Sequence, residues 1–333
     1  MFQMINTNKF TFIVLTYNHE NYIIEHLESI KYLIDTHGSE LNIQIIIADD
    51  SSRDKTLEIS KIWLKKNSNL FERIIILTDE INKGTCKNFF HGVEYLTTEY
   101  CKITAGDDVY SFENIFIEIK KIDRNHILSG LPLHLIDGVI SSTKFDLFNL
   151  FGTNLIYTKN SYITRLKRIS FLNSPNVVYS TSALKNKDVK EFVEKFKVTE
   201  DFPLQIKMAE MLTPLKFIQI EKIFVYYRRT KNSTYIIKNI QFNQDKLDIY
   251  NYLIKSEKNV IERFILINRR QCFFINNRFL KRVLNISFYR YGLNILVKFP
   301  KILSKLKNFN TQNEKHQSHY DLIVANAIKF KTN

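Results

Sequence analysis

Glycine, proline, cysteine and tryptophan are all scarce in this chain of 333 residues, at 8, 5, 3 and 1. So little glycine and proline excludes a collagen-like or Pro/Gly-rich disordered polymer, and no internal repeat is present. The cysteines, Cys86, Cys101 and Cys272, are odd in number and have neither disulfide nor zinc-ligand spacing, which points to a reducing cytoplasm. Long apolar runs are missing. Residues 10–15 form a run of six without a basic n-region or a small-residue cleavage site, so no signal peptide is expected. Nothing reaches the roughly 18–20 apolar residues of a spanning helix. Glycine-rich phosphate loops are missing too: no G-x-G-x-x-G follows the first apolar run and no G-x-x-x-x-G-K-[ST] occurs. A phosphate bound here needs another device.

What is present suits a soluble globular protein, 44% apolar and 25% charged, long enough for one large domain or for one domain with a substantial appendage. The net charge of +14 is unevenly spread. Residues 1–150 carry 15 Lys and Arg against 21 Asp and Glu, whereas residues 151–333 carry 33 against 13. An acidic front and a basic back imply two functional surfaces, the basic one suited to nucleic acid, an anionic membrane or an acidic acceptor.

The first 130 residues alternate between strand and helix patterns. Residues 10–15, 41–48, 73–77 and 100–104 read as buried strands; residues 20–33, Thr56–Lys66 and residues 87–96 have helical periodicity. Such alternation implies a mostly parallel sheet, and ligands bind beyond the carboxyl ends of its strands. Polar clusters stand at those ends: Thr16-Tyr17-Asn18, Asp49-Asp50-Ser51-Ser52 and Gly106-Asp107-Asp108. Adjacent carboxylates after a buried strand need cationic company, which a divalent metal completed by a polyphosphate supplies; Gly-Asp-Asp is equally ordinary turn chemistry. Farther on, residues 139–142, 153–158 and 177–181 read as strands, and residues 216–227 as a strand pair or one bent strand. Thr199 or Asp201 can cap a helix over residues 203–211, with Pro203 in its first turn. On local grounds Glu200 and Asp201 are favourable charge at that helix start.

Taken in order, Phe12-Ile13-Val14-Leu15-Thr16-Tyr17-Asn18, Ile47-Ala48-Asp49-Asp50-Ser51-Ser52 with Asp54 and Thr56, Asn82-Lys83-Gly84 with Asn88, Gly106-Asp107-Asp108 and Thr199-Glu200-Asp201 resemble the family 2 glycosyltransferases of the GT-A fold, across residues 10–235. The resemblance implies a Rossmann-like α/β catalytic domain at 1–235, with a nucleotide-sugar half at 1–130 and an acceptor half at 131–235, followed by a basic helical region at 236–333. It also implies a role for each motif. Thr16, Tyr17, Asn18 and Ser51 belong to the nucleotide pocket, Asp50 accepts the base imide N–H, and Asp49 supports the loop. Ser51 and Ser52 are candidate caps for the next helix. Lys83, Lys87 and Asn88 lie beside the diphosphate, with a solvated helix face the alternative for the lysines. Asp107 contacts the ribose and Asp108 ligates Mn²⁺ or Mg²⁺. Asp201 is the general base of an inverting displacement, and Glu200 orients the acceptor or supports the loop.

Two departures from the family stand out. Members often carry a histidine after a Tyr-Arg pair near residue 230, where this chain has Thr230 between Arg228-Arg229 and Lys231; Arg228 and Arg229 are candidates for the phosphate contact, as is a group elsewhere. The Gln/Arg-x-x-Arg-Trp element of processive synthases is missing, the only tryptophan being Trp63, so one sugar is expected per encounter. The donor is then a nucleoside-diphosphate sugar, UDP-linked in the first instance, and the acceptor a glycan or glycolipid of bacterial surface polysaccharide synthesis.

Residues 279–306 interleave apolar and basic side chains. That pattern suits the surface of an anionic bilayer, and equally a helical appendage packed on the catalytic domain. A cytoplasmic enzyme, peripheral on the inner membrane face, is the corresponding expectation. Two other classes make different demands. A sugar nucleotidyltransferase needs a Gly-rich, basic loop after the first strand, and Thr16-Tyr17-Asn18-His19 is not one. A nucleic-acid-binding protein leaves the strand-end carboxylates without a purpose, and no nucleic-acid module is recognisable.

Overall fold

An apolar stretch buried on both faces belongs in the middle of a sheet, and residues 10–15 are found there. In the computed structural model, which describes residues 8–121, 123, 125–212, 214–229 and 240–332, they lie in β1 (Lys9–Thr16), hydrogen-bonded on both sides to parallel strands. Its neighbours are β2 (Asn42–Asp49) and β4 (Tyr100–Ala105), and β3 (Arg73–Thr78) follows β2. Successive β1 side chains feed opposite cores: Phe10, Phe12 and Val14 pack with Ile45, Ile47 and Trp63, whereas Ile13 packs with Ile46, Phe89 and Phe90. Each such burial stabilises the fold by roughly 1.5–3 kcal/mol.

The remaining strands are β5 (Val109–Tyr110), β6 (His126–Ser129), β7 (Leu133–Ile136), β8 (Val139–Ser141), β9 (Val177–Ser180), β10 (Lys216–Gln219) and β11 (Val225–Arg228). The large sheet runs β10-β6-β9-β4-β1-β2-β3, parallel except where β9 inserts between β6 and β4; the small one runs β5-β11-β7-β8. The architecture is therefore the expected mostly parallel α/β sheet. Residues 216–227 are a pair, split between the two sheets.

One register matters for function. Thr16 pairs with Asp49, and Leu15 pairs with Ala105, so β1, β2 and β4 end level and deliver their polar clusters to one edge.

Two expectations change. Residues 153–158 are not a strand: they fall largely in the helix Lys144–Ile156, which begins where Thr143 accepts the Asp146 N–H. Leu147, Leu150 and Phe151 are buried at helical spacing, and a Cβ at Gly152 would stand 2.5 Å from Ile295, so the helix is held by close packing on Ile286–Asn308. The first helix starts at Ile23 rather than at residue 20, with the His19 carbonyl accepting the N–H groups of Tyr22 and Ile23. The boundary expected for the basic C-terminal region, at 235/236, lies outside the described residues. Its helices Ile240–Ser256, Val260–Phe273, Arg278–Val283, Ile286–Asn308 and Asn313–Thr332 share the catalytic cores: Ile249, Leu253 and Leu266 join one, Ala327 another, and Ile302, Tyr320 and Ile323 the third. No helix among the described residues is long and apolar enough to cross a membrane.

Candidate active site

At the first two strand ends the polar residues hold one another. Asp49 accepts the Thr16 hydroxyl at 2.7 Å and the N–H and hydroxyl of Ser52 at 2.9 and 2.6 Å, which fastens β1 to the loop after β2. Asn18 takes a φ of 57°, which Asn tolerates better than most residues, donates its N–H to Ser52 and accepts that of Arg53. Tyr17 beside it is exposed, free to offer a ring face. Ser51 donates to the Glu80 carbonyl. Neither serine caps the helix Thr56–Lys66: Lys55 occupies that position, and the Thr56 N–H bonds to Asp54.

Asp50 is buried at the end of β2, accepting the Lys83 N–H on one oxygen at 2.7 Å and the Gly84 N–H on the other at 2.9 Å. Burial raises its pKa, against the pull of those two N–H groups. Each oxygen keeps a lone pair for a further donor. Gly84 is required twice over: its φ is +88°, and a Cβ would come 2.8 Å from the Lys197 carbonyl. That contact seats the loop beside the segment leading to Glu200 and Asp201. The polar side chains of this loop have these surroundings. The Lys83 ammonium is ion-paired with Asp79, Lys87 is exposed, and Asn88 is buried with its amide donating to the Ala48 carbonyl, a bond internal to the fold.

The Gly106-Asp107-Asp108 turn follows β4. A Cβ on Gly106 would meet Thr16 at 2.9 Å and Ile23 at 3.0 Å, so only glycine lets the turn lie on the end of β1. Its two carboxylates differ in burial and in partners. Asp108 is 3% exposed and accepts the Arg228 backbone N–H at 2.9 Å; burial first, and the Asp107 charge second, push its pKa well above the carboxylate range. The buried Lys102, itself lowered to about 8 by burial, lends Asp108 opposite charge. Asp107 is only half-buried, and its carboxylate has no hydrogen bond or ion pair among the described residues. Asp107 is therefore the more outward-facing of the two carboxylates, and Asp108 the one held inside. One carboxylate is a hard oxygen donor suited to Mn²⁺ or Mg²⁺, yet among the described residues no three His, Cys, Asp or Glu converge. The site thus fits a cation that shares its coordination with a phosphate ligand, not one caged by protein alone.

Arg228 does not present a free guanidinium. It pairs with Glu25 at 2.5 Å, donates to the Asp107 carbonyl at 2.6 Å and stacks over Tyr22. Arg229 turns toward His134, at 3.0 Å, and Asp146. Thr230 and Lys231 lie outside the described residues.

Across the site, Asp201 opens the helix Asp201–Met211 and is half-buried. One of its oxygens accepts the Ser174 hydroxyl at 2.6 Å and the other its neighbour Phe202 N–H at 2.7 Å. The cap position belongs to Glu200 and carries no side-chain hydrogen bond, so neither Thr199 nor Asp201 caps this helix. Burial, then the adjoining Asp201 charge, raises the Glu200 pKa far above its ordinary value. Glu200, inclined by burial to hold its proton, thus stands directly beside the Asp201 carboxylate.

Residues 11–191, more than half of the chain, match the family described as Glycosyl transferase family 2. The chain belongs to that family. The abequosyltransferase RfbV of Salmonella typhimurium is 32% identical to it over 107 residues, covering 32% of this chain and 30% of that protein; the curated relatives it matches first are thus spanned over less than a third of their length. The fold aligns with the crystal structure of Staphylococcus aureus TarS 1–349 in complex with UDP-GlcNAc, at a TM-score of 0.58 and 18% identity, covering 95% of this chain and 90% of that one. It aligns likewise with the mannosyltransferase PcManGT of Pyrobaculum calidifontis in complex with GDP-Man and Mn²⁺, at 0.56 and 14%, covering 96% and 86%.

Sequence reasoning missed three residues of this family 2 site. Asp245, on the helix Ile240–Ser256, is 1% exposed and accepts the backbone N–H groups of Lys197, Val198 and Thr199 at 3.2, 2.9 and 3.0 Å. Glu25 neutralises Arg228, and Lys102 faces Asp108. Only Lys102 carried a signal, as a charge in the middle of an apolar strand; the other two stand at unremarkable positions on helices.

Proposed function

We propose that this chain transfers a sugar from a nucleoside-diphosphate donor, UDP-linked, to a hydroxyl of a glycan or glycolipid acceptor, with inversion at the anomeric carbon. The observation that carries the reading is the level ending of β1, β2 and β4, which brings Asp50 and the half-buried Asp107 to one edge, next to the segment that bears Asp201. Tyr17 and Asp50 hold the base, with Thr16, Asn18 and Ser51 shaping their loops. Asp107 holds Mn²⁺ or Mg²⁺ together with the donor phosphates. When bound, the cation supplies charge that stabilises the departing diphosphate. Asp201 takes the acceptor proton as that oxygen attacks, and Glu200, whose pKa burial raises, hydrogen-bonds the acceptor. A base on one side and a leaving group on the other give a single displacement.

The setting in this reading is bacterial surface polysaccharide synthesis (lipopolysaccharide, lipooligosaccharide or capsule) on the cytoplasmic side of the membrane; the Salmonella abequosyltransferase supports its bacterial, sugar-transferring part. Residues 1–235 form the catalytic unit in this reading, buttressed by the helices that follow. The test is a panel of UDP-, GDP- and dTDP-sugars with Mn²⁺, read by thermal shift and by nucleotide release. One donor is expected to stabilise the protein, and Asp201→Asn should keep that shift while losing turnover. A variant that still turns over normally removes Asp201 from the chemistry.

A further inference from the structure

The helix Ile286–Asn308 has two apolar faces. Tyr291, Ile295 and Ile302 pack inward against Lys144–Ile156. On the opposite side Tyr289, Leu293 and Leu296 recur at helical spacing, with Val297 adjoining them, and all four are exposed. A surface helix normally carries polar residues there, and an exposed apolar face of this extent marks an interaction site. It also continues beyond one helix. Asn268 bonds to the Leu284 carbonyl and the Ile286 N–H, at 3.0 and 2.9 Å. That joins the helix Val260–Phe273 to the start of Ile286–Asn308. Ile261 and Phe264, in the same row as Asn268, are exposed beside it.

Charge identifies the occupant. From residue 263 to residue 313 the chain has 11 Lys and Arg and no Asp or Glu. Arg278, Arg282, Lys298 and Lys301 form no ion pair among the described residues. A second copy of the chain would set two such basic faces against each other, which is repulsive. An anionic bilayer offers an apolar interior for the leucines and phosphates for the cations. We propose that this face docks the enzyme on an anionic membrane surface, with Leu293, Leu296 and Val297 inserted at the headgroup boundary. The inference goes beyond the sugar-transfer reading and stands without it.

The test uses the full chain and vesicles of phosphatidylcholine with and without phosphatidylglycerol. The wild type is expected to co-sediment with the anionic vesicles and far less with the neutral ones. Leu293→Glu with Val297→Glu should weaken binding at least about tenfold, with an unchanged melting temperature. Arg282→Gln with Lys301→Gln should flatten the salt dependence. A Leu293→Trp variant gives a second readout, since the one native tryptophan is buried: its emission should shift to the blue with anionic vesicles only. Equal binding of wild type and the Glu variant overturns the proposal, as does an unmoved Trp emission. So does an oligomer, seen by sedimentation without lipid, that the Glu variant dissolves.

Discussion

Asp245 reaches back 46 residues to accept the Thr199 N–H at 3.0 Å, and with the Lys197 and Val198 N–H groups beside it the carboxylate holds the strand of backbone that ends at Glu200 and Asp201. Asp245→Ala leaves three backbone donors unpaired, the Thr199 N–H among them buried, a loss of about 1–3 kcal/mol for each group left without a partner or water. The expected kinetic result is a fall in kcat of at least about tenfold with the donor KM nearly constant, and partial recovery in Asp245→Asn. A donor KM that rises while kcat holds would place Asp245 in donor binding instead.

The Asp107–Asp108 pair gives opposite expectations for adjacent residues. Asp108→Ala removes a buried acceptor of the Arg228 N–H and leaves Lys102 unopposed, so it should lower stability by about 1.5–3 kcal/mol or more. Asp107→Ala should change stability by less than about 0.5 kcal/mol while abolishing metal-dependent turnover. Urea unfolding and nucleotide release decide it; the reverse ranking restores the metal to Asp108.

How much of this was legible beforehand follows from where each signal lies. The strand ends at 16, 49 and 105 could be read because a continuous apolar run stops at a polar cluster each time. The order within Asp107-Asp108 could not: which carboxylate turns inward depends on the Arg228 N–H of β11, 120 residues away. Residues 153–158 misled for a related reason, since Thr153 and Ile156 suit a strand locally and become helical through packing on Ile286–Asn308. Lys83 and Arg228 look like phosphate ligands in one dimension, but Asp79 and Glu25 neutralise them in three.

Gly84→Ala should show the dependence of the donor loop on one backbone angle. The left-handed φ costs about 1–2 kcal/mol for a residue with a Cβ, and the Cβ also meets the Lys197 carbonyl. Melting temperature and UDP affinity are both expected to fall, the latter by about tenfold if the loop leaves Asp50. Unchanged affinity would separate this loop from donor binding.

His316 bonds to the Tyr226 hydroxyl and His319 to the Tyr110 carbonyl, which locks the C-terminal helix onto the small sheet. Burial lowers both from 6.5 to about 4. Between those values the unfolded chain binds more protons than the folded one, so stability rises with pH and is lost as pH falls from 6.5 toward 4. Each pKa unit is worth on the order of 1.4 kcal/mol before solvent screening. Denaturation midpoints across this window should show that slope, and His319→Gln should flatten it. An identical slope in the variant would assign the acid sensitivity to other groups.

The most direct measurement is calorimetric titration of UDP into the protein with Mn²⁺ and with chelator. A site with one carboxylate donor should bind Mn²⁺ weakly alone and UDP tightly only with Mn²⁺, and Asp107→Asn should erase that difference while Asp108→Asn, if folded, retains it. UDP binding that is equally tight with chelator present, or a metal dependence that survives Asp107→Asn, would contradict a metal–diphosphate site at the end of β4.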